Sequence, residues 1–250
     1  MSDVSVELAD DFVATVELHR PPNNFFDVAL ISAIADAYEE LQAGPCRAIV
    51  LCSEGRHFCA GADLTSGTER TVGELYGQAL RLFEAELPVV AAVTGAAIGG
   101  GLGLALSADF RVASAESRFA ANFSRLGFHH GFGLTVTLPD AVGQQAASSL
   151  LYTGRRIGGA EALAIGLCDR LADTTDDVLA EARAMAVELA SAAPLSVRAI
   201  RATLRRGLPE RVREATEIEQ GEQDRLRRTE DFAEGVAASS QRREPQFKGS

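Results

Sequence analysis

Cations are scarce in this sequence, which has 24 Lys and Arg residues against 35 Asp and Glu residues and a net charge of −11. Lysine is almost absent, because Lys248 is the only one among the 250 residues. Proteins that bind nucleic acid are usually basic, so this balance argues against a nucleic-acid partner. Any phosphate group would have to be bound by arginine, by Lys248 or by backbone amides.

Cysteine is also rare in the chain. The four cysteines form no C-x-x-C pair, which argues against a disulfide framework and against a zinc site. Residues 1–12 contain no basic residue and therefore resemble neither a signal peptide nor a transit peptide. We expect reduced cysteines in a cytoplasmic protein.

Charge is missing altogether from residues 87–108, a stretch long enough to cross a membrane as a helix. The stretch contains Pro88 and five glycines, however, and this composition disfavours one straight helix. It predicts instead a buried strand, a glycine turn and a buried helix. We therefore expect no membrane partner.

The apolar pattern predicts one large α/β unit. Residues 4–18 alternate as in a β-hairpin, and buried strands then alternate with helices, which favours a parallel sheet. Beyond residue 144 the strand signal nearly vanishes, and we predict a series of helices that ends with one helix over residues 211–238. The many Arg and Glu residues of these last helices indicate either a solvated face or a surface that packs on a partner subunit.

Two glycine-containing turns are the strongest candidates for chemistry. They cover residues 53–64 and 94–104, and each follows a buried strand, where α/β folds commonly bind ligands. Together they could donate two backbone amides to one developing oxyanion, although the glycines could also serve only close packing. Neither turn fits the G-x-G-x-x-G dinucleotide motif or a Walker phosphate loop.

The residues of these turns resemble those of the crotonase (enoyl-CoA hydratase/isomerase) superfamily. The matching motifs are Arg56-His57-Phe58-Cys59-Ala60-Gly61-Ala62-Asp63-Leu64, Gly95-Ala96-Ala97-Ile98-Gly99-Gly100-Gly101 and His19-Arg20-Pro21. The resemblance implies a crotonase-like spiral of β-β-α units over residues 1–190. A helical segment over residues 191–250 would then serve oligomerisation, as a homotrimer or a dimer of trimers. It also implies an acyl-CoA substrate, with coenzyme A as part of the substrate and no separate cofactor or metal.

The resemblance also implies roles for individual residues. The amides of Ala62 and Gly100 would form the oxyanion hole. Ala60, Ala62, Asp63 and Leu64 would meet the adenine end of coenzyme A by their backbone, and Lys248 would approach a coenzyme A phosphate.

The sequence departs from the hydratase pattern where that pattern has two catalytic glutamates. The equivalent positions are Gly103 and Phe123, and residues 117–139 contain no Asp or Glu. Neither glycine nor phenylalanine can transfer a proton, so a standard two-glutamate hydratase is not expected.

A histidine pair offers a replacement for the missing acids. His129 and His130 adjoin Gly131, whose counterpart in several relatives is a catalytic aspartate. Either histidine could act as acid or base, or could instead fill space or bond to backbone. His57 and His19 are expected to be structural. Two functions stay open: an enzyme that stabilises a thioester enolate, and a non-catalytic acyl-CoA-binding protein.

Overall fold

The computed structural model describes residues 3–62 and 72–250, which form two β-sheets surrounded by helices. The strands are β1 (Val4–Leu8), β2 (Val13–Leu18), β3 (Ala48–Ser53), β4 (Val89–Val93), β5 (Ala96–Ile98), β6 (Phe110–Ser114), β7 (Arg118–Ala120), β8 (Ile157–Gly158) and β9 (Arg170–Ala172). The helices are α1 (Val28–Gln42), α2 (Val72–Glu84), α3 (Gly100–Ser107), α4 (Leu134–Val142), α5 (Gln144–Thr153), α6 (Gly159–Ala164), α7 (Val178–Ser191), α8 (Pro194–Leu204), α9 (Leu208–Leu226) and α10 (Glu230–Gln241).

The larger sheet has the order β1-β2-β3-β4-β6-β9. Strands β1 and β2 form the predicted antiparallel hairpin, and every later pair in this sheet is parallel. All five residues of β4 and five of the six residues of β3 are buried, as expected for parallel strands covered on both faces. The predicted α/β class is confirmed.

A second sheet, β5-β7-β8, lies beside the site and is absent from the sequence prediction. Its strands have only two or three residues, too few to show a period of alternation. Strand β5 links the two glycine turns, because the Cys59 amide donates to the Ala96 carbonyl (3.0 Å) and the Ile98 amide donates to the Cys59 carbonyl (3.0 Å). The short sheet thus brings the turns after β3 and β4 into contact.

Beyond residue 144 the structure differs from the prediction in two respects. Strands β8 and β9 occur where helices and no strand were predicted, and β9 joins the larger sheet. Residues 211–238 form parts of two helices, α9 and α10, instead of one. The chain breaks at Thr229, whose hydroxyl oxygen accepts a hydrogen bond from the Phe232 amide (3.2 Å) and caps α10. Threonine is a common N-cap residue, but a single threonine inside a polar helical stretch is weak evidence for a break between two helices.

The last helices pack back onto the rest of the chain. Helix α9 contacts α2 and α4, and α10 contacts a short 3-10 helix over Asn122–Leu126. Within α9, Glu219 and Gln223 are buried, so this helix is not only a solvated face. The boundary near residue 190 stays a prediction. Among the described helices, none is both long and apolar enough to cross a membrane.

Candidate active site

A cavity of about 930 Å³, open mouth included, lies where the two glycine turns meet the C-terminal helices. Its walls are mainly apolar, and the apolar side chains among the described residues are Phe26, Val28, Ala60, Ala62, Val72, Leu75, Phe123, Leu126, Phe128 and Phe132. Polar side chains on the walls are few: Asp27, Tyr76, Asn122, Gln223 and Arg227. An apolar cavity with a few convergent polar groups is typical of a small-molecule site.

Two backbone amides at one end of this cavity have no hydrogen-bond partner in the described part of the chain. The N–H groups of Ala62 and Gly100 make no hydrogen bond to the described residues, whereas the Ala60 amide donates to the Asn23 carbonyl (2.9 Å). Gly100 is the first residue of α3, so the positive end of the helix dipole also lies here. Both amides can therefore donate to an anionic oxygen.

Close packing explains why glycine occurs in these turns. A Cβ atom at Gly61 would lie 3.0 Å from the Ile98 carbonyl oxygen and 3.5 Å from the Gly100 nitrogen. A Cβ at Gly100 would overlap the Phe26 ring. The packing and functional explanations of the glycines are therefore compatible, because the same close approach brings the turns side by side.

At the other end of the cavity, a tyrosine fills the space that a side chain at position 131 would take. A Cβ at Gly131 would overlap the Tyr76 hydroxyl and would lie 2.6 Å from the Gln223 amide nitrogen. The Tyr76 hydroxyl donates to Gln223 Oε1 (3.2 Å), and Gln223 Nε2 donates to the His129 carbonyl (3.0 Å). Burial raises the pKa of the Tyr76 phenol above its usual value. Tyr76 is therefore a neutral hydroxyl beside the Gly131 turn.

The two candidate histidines lie behind this wall, since neither is among the residues that line the cavity. Their rings stack with centroids 4.1 Å apart, and His129 Nδ1 is 2.8 Å from the His130 carbonyl oxygen. His130 Nε2 lies 2.8 Å from Thr135 Oγ1. Burial, followed by the neighbouring His129, lowers the pKa of His130 to about 3, so His130 is neutral near pH 7.

His130 is connected through Thr135 to a buried carboxylate of α9. Glu219 is fully buried and accepts from the Gly133 amide (2.9 Å), the Thr135 amide (2.9 Å) and the Thr135 hydroxyl (2.7 Å). These bonds satisfy donors at the N-terminus of α4. Because the Thr135 hydroxyl donates to Glu219, His130 Nε2 donates to the Thr135 oxygen. Burial raises the pKa of Glu219, and the three hydrogen bonds oppose this rise.

Comparisons with known proteins identify the family to which the chain belongs. Residues 9–250 match the model of the enoyl-CoA hydratase/isomerase family. The chain belongs to this family. It is 32% identical to the crotonyl-CoA hydratase of Syntrophomonas wolfei, over 95% of each chain. It is 33% identical to enoyl-CoA hydratase domain-containing protein 2, mitochondrial, of Bos taurus, over 95% of this chain and 84% of that one.

Solved structures of the family share the whole fold. The crystal structure of an enoyl-CoA hydratase/isomerase from Pseudoalteromonas atlantica superposes with a TM-score of 0.87 at 32% identity, over 99% of this chain and 100% of that one. An enoyl-CoA hydratase from Mycobacterium avium subsp. paratuberculosis gives 0.86 at 28% identity, over 99% of each chain. The predicted crotonase-like fold is confirmed.

The residues that the family resemblance assigns to coenzyme A fall in different places. Ala60 and Ala62 line the cavity, whereas Asp63 and Leu64 lie outside the described residues. Lys248 Nζ is 3.9 Å from Glu230 Oε2, both side chains are exposed, and the Lys248 amide donates to Asp231 (2.7 Å). Lys248 does not line the cavity in this chain, and its contact with a coenzyme A phosphate stays a prediction.

Gly103 and Phe123, the positions that the resemblance matches to the hydratase glutamates, both lie in close packing with aromatic side chains. Phe123 lines the cavity, and a Cβ at Gly103 would lie 2.6 Å from the Phe132 Cβ. Asp27 is the one carboxylate among the described cavity residues, and its Oδ1 lies 2.9 Å from Arg20 Nη1. Burial raises the pKa of Asp27, but hydrogen bonds from the Leu30 amide and Arg20 outweigh burial and lower it overall. Asp27 is therefore an ionised N-cap of α1.

Sequence reasoning missed all five polar side chains of the cavity wall, among them Tyr76, Gln223 and Arg227. Tyr76 belongs to the apolar stripe of α2, where its hydroxyl is not distinguished from the neighbouring core residues. Gln223 and Arg227 lie in the charge-rich C-terminal region. Their contacts join residues up to 147 positions apart, and no local pattern marks such a pairing.

Proposed function

We propose that the chain is an enzyme that acts on an acyl-CoA thioester and stabilises the thioester enolate with the amides of Ala62 and Gly100. The observation that carries the proposal is a pair of amides on adjacent turns, unpaired within residues 3–62 and 72–250, at one end of an apolar cavity. Such donors are most useful when negative charge develops during a reaction. The names of the relatives, enoyl-CoA and crotonyl-CoA hydratases, support a CoA thioester as the substrate.

We propose that hydration by two glutamates is not the reaction. Gly103 and Phe123 cannot exchange protons, and the ionised Asp27 is held by Arg20 and by the start of α1. Phe123 and its apolar neighbours also keep water away, which strengthens the oxyanion hole but hinders addition of water. Isomerisation, hydrolysis, decarboxylation and a hydration by other residues are the reactions compatible with an enolate.

Proton transfer has two candidate sources in this proposal. The histidine pair His129–His130 stands behind the Gly131 turn, and the Tyr76 hydroxyl stands in front of it, on the cavity wall. Turnover that falls in His129→Ala or His130→Ala and is retained in Tyr76→Phe would assign the step to the histidines. The reverse result would assign it to Tyr76.

A non-catalytic acyl-CoA-binding protein is the second candidate. The observation in its favour is that no carboxylate other than the ion-paired Asp27 faces the cavity among the described residues. Incubation with a panel of acyl-CoAs, followed by mass spectrometry for both binding and turnover, separates the two candidates. Turnover of any thioester supports the enzyme, and tight binding without turnover supports the binding protein.

We also propose that the chain assembles as a homotrimer or a dimer of trimers in the cytoplasm. Helix α8 exposes Leu195 (82%), Ile200 (59%) and Leu204 (81%), an unusual amount of aliphatic surface for a charged helix. Contact with another copy would cover these side chains. Light scattering at micromolar concentration tests the assembly, and a monomer would contradict it. The four cysteines are free and buried, which suits a reducing compartment.

A further inference from the structure

One cationic side chain on the cavity wall, that of Arg227, has no acidic partner among the described residues. Arg227 lies at the C-terminal end of α9 and lines the cavity. It forms no ion pair with any described carboxylate, although the nearby Arg225 pairs with Glu222 at 2.6 Å. Arg227 Nε is buried and makes no hydrogen bond to the described residues. A guanidinium is always charged, so a partly buried one without an acid is a ready site for an anion.

Aromatic rings hold this cation at a fixed place in the cavity wall. The Arg227 guanidinium carbon lies 5.4 Å from the centroid of the Phe128 ring and 5.8 Å from that of Phe232. Its backbone amide donates to the Gln223 carbonyl (2.9 Å), so Arg227 stands one helical turn beyond the Gln223–Tyr76 pair. Three polar side chains therefore share the wall formed by α2 and the end of α9.

A series of aromatic ring contacts connects this polar wall to the glycine turn that carries Gly100. A Cβ at Gly99 would lie 3.7 Å from Phe123 Cζ, and the rings of Phe123 and Phe128 have centroids 5.3 Å apart. The Arg227 guanidinium carbon in turn lies 5.4 Å from the Phe128 centroid, so the contacts run from Gly99 through Phe123 and Phe128 to Arg227. A thioester oxygen bound by the Gly100 amide would thus direct a short acyl chain along these rings.

We infer that Arg227 binds an anionic group at the far end of the acyl chain, so that short acyl thioesters ending in a carboxylate are the preferred substrates. The inference rests on the proposed function and adds the substrate class to it. A carboxylate accepts the fork of a guanidinium in a bidentate manner, and apolar walls strengthen the pair by excluding water. A neutral chain of the same length would leave Arg227 without an anion in the cavity.

Two other roles for Arg227 make different predictions. If Arg227 binds a phosphate of coenzyme A, removal of its charge weakens every thioester and free coenzyme A alike. If it serves only as a cation–π clamp between Phe128 and Phe232, its removal lowers stability without changing which chain is preferred.

Calorimetric titration with saturated thioesters separates these roles, because saturated chains can bind without the chemistry of an enoyl substrate. The probes are pairs matched in chain length: glutaryl-CoA with pentanoyl-CoA, and adipyl-CoA with hexanoyl-CoA. We expect the wild type to bind the carboxylate-ended member about tenfold or more tightly. Arg227→Met should abolish this preference, and Arg227→Lys, which keeps the charge, should retain part of it. Arg228→Met, an exposed neighbour, is the matched control and should change nothing.

The outcomes are distinguishable. Binding of neutral thioesters with no preference for the carboxylate overturns this inference alone, and so does an equal loss of affinity for both members of each pair in Arg227→Met. Retained preference in a folded Arg227→Met also overturns it. Failure of the wild type to bind any thioester or coenzyme A overturns the proposed function and the inference together.

Discussion

The two ends of the cavity are built from different parts of the chain. At the glycine turns, the donors are the backbone amides of Ala62 and Gly100, positioned by β5 and by the start of α3. At the helical end, the polar groups are the side chains of Tyr76, Gln223 and Arg227. A backbone donor depends on the path of the chain, whereas a side-chain donor depends on one residue. We propose that the first end holds a charge common to many reactions and that the second selects the acyl group and the proton transfer.

The largest expected effect concerns hydration. If the protein has an oxyanion hole but no positioned acid and base, it should hydrate crotonyl-CoA slowly. We expect each missing group to lower the rate by about 10²–10⁴-fold. The measurement is the hydration rate beside that of the Syntrophomonas wolfei crotonyl-CoA hydratase. Gly103→Glu alone should not restore the rate, because Phe132 occupies the space that its side chain needs. A comparable rate in the wild type would reveal an acid–base pair other than His129, His130 and Tyr76.

A substitution at Gly100 directly tests the end of the cavity at the glycine turns, where the donors are backbone amides. Proline is tolerated at the first position of a helix but has no N–H, so Gly100→Pro removes one donor. Because any Cβ at this position meets the Phe26 ring, the variant is made together with Phe26→Leu, and Gly100→Ala in the same background is the matched control. We expect turnover to fall about 10²–10³-fold in the proline variant relative to the alanine variant. Equal turnover in the two folded proteins would remove Gly100 from the oxyanion hole.

The helical end of the cavity depends on the contacts that hold α9 against α4. Glu219→Ala would leave the amides of Gly133 and Thr135 without an acceptor inside the protein, at a cost of about 2–5 kcal/mol in the free energy of unfolding. Chemical denaturation measures this loss. Glu217→Ala, at an exposed position of the same helix, is the control and should change stability little. Similar stability of the two variants would mean that Glu219 does not hold α9 against α4.

The comparison of the two ends also explains what the sequence could predict. The buried strands and glycine turns give a strong local pattern, so β3, β4 and the start of α3 were predictable to within a few residues. Strands β5 and β7 were missed because three residues show no period. They matter nonetheless, since β5 joins the turns that carry Ala62 and Gly100.

The helical end was not predictable from local pattern. Glu219 and Gln223 occupy a stretch whose composition suggests solvent, yet both are buried, because α9 packs against α2 and α4. Their partners lie 84 to 147 residues away along the chain. Only the tertiary arrangement reveals that Gly131 leaves room for the Tyr76 hydroxyl.

The smallest expected effect is a dependence of the free energy of unfolding on pH. It arises from His130, near the helical end of the cavity. Burial, followed by His129, lowers the pKa of His130 from 6.5 to about 3 in the folded protein. A histidine with a lowered folded-state pKa contributes stability that is present above the unfolded-state pKa and is lost as the pH falls toward the folded-state value. Each pH unit below the unfolded-state pKa costs about 1.4 kcal/mol, so acidification to about pH 5 should remove about 2 kcal/mol through this group.

The matched variant is His130→Gln, whose amide can still donate to Thr135 Oγ1 but does not titrate. Protonation of Glu219 also changes this cluster in acid, since its pKa is raised by burial, but both proteins share that effect. Denaturant unfolding from about pH 7 to about pH 5 should show a steeper loss of stability in the wild type than in the variant. Parallel curves would mean that His130 takes up its proton as readily in the folded chain as in the unfolded one. The ring would then be accessible to solvent, and the wall behind Gly131 would be open enough for His130 to exchange protons with the cavity.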